Sequence, residues 1–248
     1  MIFLKSTSEL ELIKKAVDIW KKAKKLLQEE TKVGVNILTL DEMVAKLIEE
    51  NGATCSFYKY NGFPGHICIS INEELIHGVP TNRLLKKNDM VTFDIGVTYK
   101  NHICDAAFTI VLDEKNSEAN NINKATLEAL ENAIYCIKPG NHIGDISYAI
   151  EKTASKHGYE VIKDFGGHGC GNYLHEDPII YCFGKPHTGT KIVKGMVLCI
   201  EPMFLIGTDK YIIDKKNKWS VISVNKKLTC HWEHMVYVTD DGCEILTK

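Results

Sequence analysis

Asp94 and Asp105 sit in the stretch Met90–Leu112, MVTFDIGVTYKNHICDAAFTIVL, whose alternation reads as two half-buried strands turning at Lys100-Asn101. Val91, Phe93, Ile95, Val97 and Tyr99 share one face of the first strand, so Asp94 lies on the other. A two-residue turn sets Tyr99 against His102; Asp94 then faces Ala107 and lies diagonal to Asp105 on the same side. Strands are poor in Asp, and two ionised carboxylates buried together repel unless a cation sits between them. One Asp is ordinarily read as the solvated face of an edge hairpin; two inside a hydrophobic hairpin favour a metal site. Further along, FGGHGCGNYLHEDP carries His168 and His175 in a glycine-rich loop, whose glycines let the backbone come close and leave the imidazole reachable. Its spacing is not G-x-G-x-x-G and no strong helix follows, which sets a phosphate cradle aside. MVLCIEPMF places Glu201 near the end of an apolar strand, and LTCHWEHMVYVT places Glu233 within one. Singly, each Glu could be a salt-bridge partner or a solvated edge residue. Together, four acids embedded in apolar strands and one His from a loop resemble a co-catalytic two-metal site, where four negative charges balance two divalent cations.

Helices must hold these strands in place. Ser8 to Glu11 reads as a capping box, followed by Leu10, Ile13, Val17, Trp20 and Leu27 at helical spacing as far as about Glu30. A second box, Thr39 to Glu42, opens a shorter helix ending at Asn51-Gly52. After Asn116-Ser117 the helical pattern returns as far as Ile137, breaks at Lys138-Pro-Gly140, and resumes in a shorter helix ending at His157-Gly158. The second pass echoes the first. One common offset relates Lys32-x-Gly34 to Lys138-x-Gly140, Gly52 to Gly158, and Ile37, Leu40 and Val44 to Ile143, Ile146 and Ile150. One residue more brings Asp94 onto Glu201. Coincidence between ordinary helix pairs is the competing reading. The acid-on-acid match favours a duplicated α+β unit of long helix, short helix and antiparallel strands, with halves of about 1–115 and 116–248 and ligands drawn from both.

The whole chain sets bounds. Its 248 residues, 44% hydrophobic and 25% charged, are enough for one large domain or two intimately packed halves. A formal net charge of -2 and the lack of a basic run argue against a general nucleic-acid binder. The N-terminus does not read as a signal peptide and no stretch approaches a membrane span. Nine cysteines without a C-x-x-C pair read as reduced thiols of a cytosolic protein.

With these motifs in order along the chain, the sequence resembles a type I methionine aminopeptidase of the pita-bread metallopeptidase family. The resemblance runs from the first helix to GCEILT near the C-terminus. Asp94, Asp105, His168, Glu201 and Glu233 fall on the family's Asp, Asp, His, Glu, Glu metal ligands; IHGVP around His77, LHEDP around His175, CISINE and KPG also match. The long insertion of the type II enzymes and the zinc-binding N-terminal extension of eukaryotic type I enzymes are missing. The resemblance implies two divalent metal ions (Co, Mn, Fe or Zn), bridged by Asp105 and Glu233, with Asp94 completing one site and His168 and Glu201 the other. It implies that Glu201 carries a proton from water to the leaving amine, that His175 steadies the carbonyl oxygen or the gem-diolate, and that His77 contacts the scissile amide or the following residue. Tyr60, Phe63, Cys68, Leu174 and Trp219 would form the methionine pocket, with a small residue required next in the substrate. The expected setting is a cytoplasmic monomer acting on nascent polypeptide N-termini, with transient ribosome association and no membrane or specific nucleic-acid partner.

Five positions depart from the family pattern: Asn61, Asn172, Leu174, Cys182 and His231, the last where bacterial members often carry Gln. They bear on rate and substrate range rather than on the ligand set. The rival enzyme is an Xaa-Pro aminopeptidase or prolidase, which shares the fold and ligand plan. The rival of another class is a non-catalytic pita-bread binding protein.

Overall fold

A computed structural model describes all of residues 1–248. Its first helix, α1 (Thr7–Glu30), buries Leu10, Ile13, Val17, Trp20 and Leu27 along one stripe. The cap differs from the expected Ser8–Glu11 box. Ser6 Oγ accepts the Glu9 N–H at 3.3 Å and the Glu9 carboxylate accepts the Ser6 N–H at 2.8 Å. This earlier start leaves the second Glu9 oxygen free to accept from Asn172 at 3.0 Å, which ties the helix to the glycine-rich segment. Helix α2 (Ile37–Glu50) likewise begins before Thr39: Asn36 Oδ1 accepts the Leu38 N–H at 2.9 Å. The earlier cap places Ile37 on the same buried stripe as Leu40, Val44 and Ile48.

Helix α3 (Ser117–Tyr135) is capped by Asn116 and ends two residues short of Ile137, whose side chain is nonetheless buried. Helix α4 (Ile143–His157) stops where expected, on Gly158 at φ 73°. No helix is long and apolar enough to cross a membrane.

The strands are antiparallel throughout. In the first large sheet Met90–Tyr99 is central, paired along its length with His102–Val111 and on its other edge with Cys68–Ile71 and Thr54–Cys55. The hairpin register is the expected one: Tyr99 faces His102, Asp94 faces Ala107, and Gly96 faces Asp105. Lys100 and Asn101 both take positive φ, as a tight two-residue hairpin turn requires. The second large sheet runs Cys243–Ile245, His234–Val238, Val197–Ile200, Gly166–Gly169, Glu176–Tyr181. Helices α1 and α2 share one apolar core with the first sheet, and α3 and α4 share another with strands from the second half. Trp20 Nε1 donates to the Ala106 carbonyl at 3.0 Å, pinning α1 to the hairpin beside Asp105. The acids therefore project between the two sheets, away from both helix pairs.

Candidate metal centre and substrate cleft

The hairpin delivers Asp94 and Asp105 to one face, and Cys68, in register with Asp94, joins them there. His168 arrives from the second sheet. It lies on a buried strand paired with Cys199, which corrects the expectation of a loop. The glycines explain the difference. A Cβ at Gly167 would lie 2.2 Å from the Cys199 carbonyl oxygen, and one at Gly169 would lie 2.3 Å from that of Asp177. Here glycine serves close backbone approach inside a sheet rather than turning freedom. Gly167→Ala is therefore expected to push the strand off its neighbour and displace His168. Calorimetry should record a fall in Tm of about 5 °C or more, with metal affinity lowered alongside; an unchanged Tm and affinity would show that the strand has room.

Glu201 follows the Val197–Ile200 strand directly. Glu233 occupies a two-residue break between Thr229–His231 and His234–Val238 rather than a strand interior. The break is anchored on the hairpin: the Glu233 N–H donates to the Ala107 carbonyl at 3.0 Å, and Thr109 Oγ1 donates to the His231 carbonyl at 2.7 Å. Backbone bonding thus fixes Glu233 against the strand that carries Asp105.

His168 Nε2 is 3.6 Å from Glu201 Oε1 and 3.9 Å from Asp105 Oδ2. Donor atoms of Asp105, His168, Cys199 and Glu233 gather within 4.8 Å. Burial pushes the Asp94 carboxyl up to about 7. Burial and then Asp94 push Glu201 up to about 8. Asp105 and Glu233 go well above the carboxylate range, through burial first and the neighbouring acids second. Asp94 Oδ1, Asp105 Oδ1 and Glu233 Oε1 are buried without a hydrogen-bond partner. Buried carboxylate oxygens left unpaired are costly, and cations are what four convergent acids lack. The donor set fits divalent metal ions. His168 fits as well: its Nδ1–H donates to the Gly169 carbonyl at 2.9 Å, and burial holds the ring neutral, down to about 3, so the Nε2 lone pair faces the acids. Cys199 is a poorer donor, since burial drives its thiol well up and the S–H points at the Asp105 carbonyl. A second group, His142, Asp145 and His187, lies at the surface, where both Asp145 oxygens already accept backbone N–H groups at the start of α4.

The acids open into a cavity of about 630 Å³. Phe63, Cys68 and Leu174 pack together with Phe57 on one wall, Trp219 closes edge-on to Phe63 at 5.3 Å, and Tyr60 stands at the rim, its hydroxyl 3.1 Å from His175 Nδ1. All five residues expected to form the pocket line the cavity, as do His77 and His175. The His175 ring lies 4.4 Å from that of His168. His77 sits at φ 56° on a loop stitched to Cys68–Ile71, where Ile69 N donates to the Gly78 carbonyl at 2.9 Å. A Cβ at Gly78 would lie 2.2 Å from the Ile69 oxygen, so no other residue fits after His77. Burial lowers His77 to about 4 and lowers His175, leaving both neutral at physiological pH.

Residue-level reading missed Phe57 and Phe165, which also line the cavity; the Phe165 ring lies 5.8 Å from that of His77. Phe165 adjoins the glycine run and could have been found there. Phe57 carries no local signal. Of the departing positions, Asn172 works away from the acids, its N–H donating to Glu176 Oε1 at 2.7 Å, and Cys182 donates to the Glu201 carbonyl at 3.4 Å. Asn61 takes φ 49° at the cavity rim.

Comparison with known proteins bears on the family and the fold. The model of metallopeptidase family M24 matches residues 11–240. A methionine aminopeptidase of Mycoplasma capricolum is 42% identical over 100% of this chain and 99% of its own length. The crystal structure of the Thermotoga maritima methionine aminopeptidase superposes with a TM-score of 0.97 at 36% identity, covering both chains completely. A prolidase from Pyrococcus furiosus shares the fold at a TM-score of 0.81 and 27% identity, but this chain covers only 65% of it. The family match and these full-length likenesses show that this chain belongs to the methionine aminopeptidases of metallopeptidase family M24.

Proposed function

We propose that the chain is a single catalytic domain, of two related halves, that removes the initiator methionine from nascent polypeptides when the next residue is small. The observation that carries this reading is the junction of an apolar, sulfur-lined pocket with four convergent acids, three of which hold a buried oxygen without a partner. Asp94, Asp105, His168, Glu201 and Glu233 would hold two divalent cations. Mixed carboxylate and imidazole donors accept Co, Mn, Fe or Zn. Cations bound there would neutralise the acids, polarise the scissile carbonyl and lower the pKa of water from 15.7 to about 7.

The chain's own groups do the rest. The methionine side chain enters between Phe63, Cys68, Leu174 and Trp219, where aromatic edges and soft sulfur suit an unbranched thioether. Glu201, whose carboxylate lines the cleft, takes a proton from the attacking water and passes it to the departing amine nitrogen. His175, neutral and held by Tyr60, offers an N–H to the oxygen that becomes negative. His77 contacts the scissile amide and the following residue, which must be small to pass it. A cytoplasmic monomer meeting chains as they leave the ribosome is the setting that this reaction suits.

Two peptides test the reading. Purified protein stripped of metal and reloaded with Co(II) or Mn(II) is expected to release methionine from Met-Ala-Ser and to leave Ala-Pro-Ala intact. Cleavage of Ala-Pro-Ala in its place would make the chain a prolidase-like peptidase, and no cleavage with any metal, Fe(II) under anaerobic conditions included, would make the acids a binding site.

A further inference from the structure

His231 is buried to 1% exposure at the edge of the acid cluster, and neither of its ring nitrogens has a hydrogen-bond partner. An imidazole always carries at least one N–H, so full burial without a partner leaves a donor stranded. The residue cannot drift to relieve this. Its backbone is paired with Met203, and its carbonyl accepts from Thr109 Oγ1 at 2.7 Å. A carboxyl group does face the ring: Glu201 Oε2 lies 3.6 Å from His231 Nε2. The other oxygen of that carboxylate, Oε1, lies 3.6 Å from His168 Nε2. Glu201 is therefore flanked by two imidazoles, one at each oxygen.

The two rings are not equivalent. His168 has its Nδ1–H committed to the Gly169 carbonyl, so its Nε2 is bare and cannot donate to Oε1. His231 has no such commitment, and its Nε2 is free to carry the hydrogen. We propose that His231 is a positioning residue: its neutral ring donates Nε2–H to Glu201 Oε2 in the metal-loaded protein. That bond fixes the plane of the carboxylate and keeps Oε1 turned toward His168. A contraction of about 0.6 Å brings the pair into ordinary hydrogen-bond range. Each carboxylate oxygen has two lone pairs, so Oε2 retains one for the proton it accepts from water. The inference rests on the reading of Glu201 as a metal-binding, proton-carrying residue.

Two variants of matched length separate the hydrogen bond from packing. His231→Gln keeps an N–H donor at similar reach; His231→Met does not. Titration calorimetry with Mn(II) and steady-state kinetics on Met-Ala-Ser are the readouts. His231→Met is expected to weaken the looser Mn(II) site by about tenfold or more and to lower kcat by a similar factor with KM little changed, the size typical of removing a hydrogen bond to a ligating residue. His231→Gln is expected to restore affinity and kcat to within about threefold of wild type. Equal behaviour of the Gln and Met variants overturns the proposal. Absence of Mn(II) binding by wild-type protein would instead overturn the underlying ligand reading, and the proposal with it. Should circular dichroism find both variants unfolded, ¹⁵N-histidine NMR of the zinc-loaded wild type decides. An Nε2–H tautomer with an exchange-protected proton supports the bond, and an Nδ1–H tautomer overturns it.

Discussion

Glu201→Gln is expected to lower kcat on Met-Ala-Ser about a thousandfold, within the range for losing a positioned acid–base group, while KM changes little. Gln preserves the length and one carbonyl oxygen but has no useful basicity. As a carboxylate on the cleft, the wild-type group can take a proton from water and return it, which an amide cannot do. The Glu201 backbone is held at the end of a strand whose next two residues in register, Cys199 and Leu198, pair with His168 and Gly169, so the substitution leaves the frame standing. Kinetics must be measured beside metal content, because Gln also offers a weaker metal donor than a carboxylate. A loss below tenfold in protein with a full complement of metal would remove Glu201 from the proton path.

The second large effect concerns the protein without its cations. Between about pH 7 and pH 9, metal-free protein is expected to lose stability as pH rises. Asp94 and Glu201 are raised to about 7 and about 8, and Asp105 and Glu233 well above the ordinary carboxylate range, from usual values of 3.8 for Asp and 4.5 for Glu. Above pH 7 the unfolded chain has already released these protons, while the folded chain gives up that of Asp94 near pH 7 and that of Glu201 near pH 8 and holds those of Asp105 and Glu233. Stability then falls with pH, by about 1.4 kcal/mol per pH unit for each proton retained. Below pH 6.5 the histidines oppose the trend. His77, His168 and His231 are lowered to about 4, 3 and 3, so they stay neutral in the fold while the unfolded chain protonates. With two retained protons the expected slope is a loss of about 5 °C in Tm per pH unit above pH 7. Calorimetry in a chelator should record it, and saturating Mn(II) should flatten it, since cations then take the place of the protons. A chelated protein with a flat profile from pH 7 to 9 would mean that its acids are solvated after all.

Much of this site was legible because β-structure has a period of two. Once Lys100-Asn101 was read as a two-residue turn, the alternation of Val91, Phe93, Ile95 and Val97 left Asp94 and Asp105 no other face to share. Glu201 and Glu233 stood out as acids among apolar residues, and the spacing of Gly52 and Gly158 placed two helix ends correctly. Helix starts were harder. Ser6-Thr-Ser-Glu9 and Ser8-Glu-Leu-Glu11 both satisfy the capping-box pattern, and what selects Ser6 is the distant Asn172, whose amide donates to Glu9. At Asn36 the deciding fact is burial of Ile37, which a propensity argument does not see. His168 was read as a loop residue because glycines usually mark turns; here they mark three backbones pressed together. Phe57 joined the cavity wall through tertiary contact alone.

The hairpin has one more consequence, for the order in which the site comes into being. Asp94 and Asp105 are joined by a local turn, and hairpins of this kind close within about 1–10 μs. His168, Glu201 and Glu233 reach the same point only when chain segments far downstream dock on that hairpin, through bonds such as Glu233 N–H to the Ala107 carbonyl. Contacts of such sequence separation form late. During synthesis the N-terminal half can therefore expose a finished pair of carboxylates long before the remaining donors exist. A divalent cation meeting that half-built chelate would find two ligands and bind weakly; meeting the completed chain it would find five. With the proposed ligand set, tight capture becomes a property of the finished molecule, and bound cations would act as a clasp across its last-formed seam.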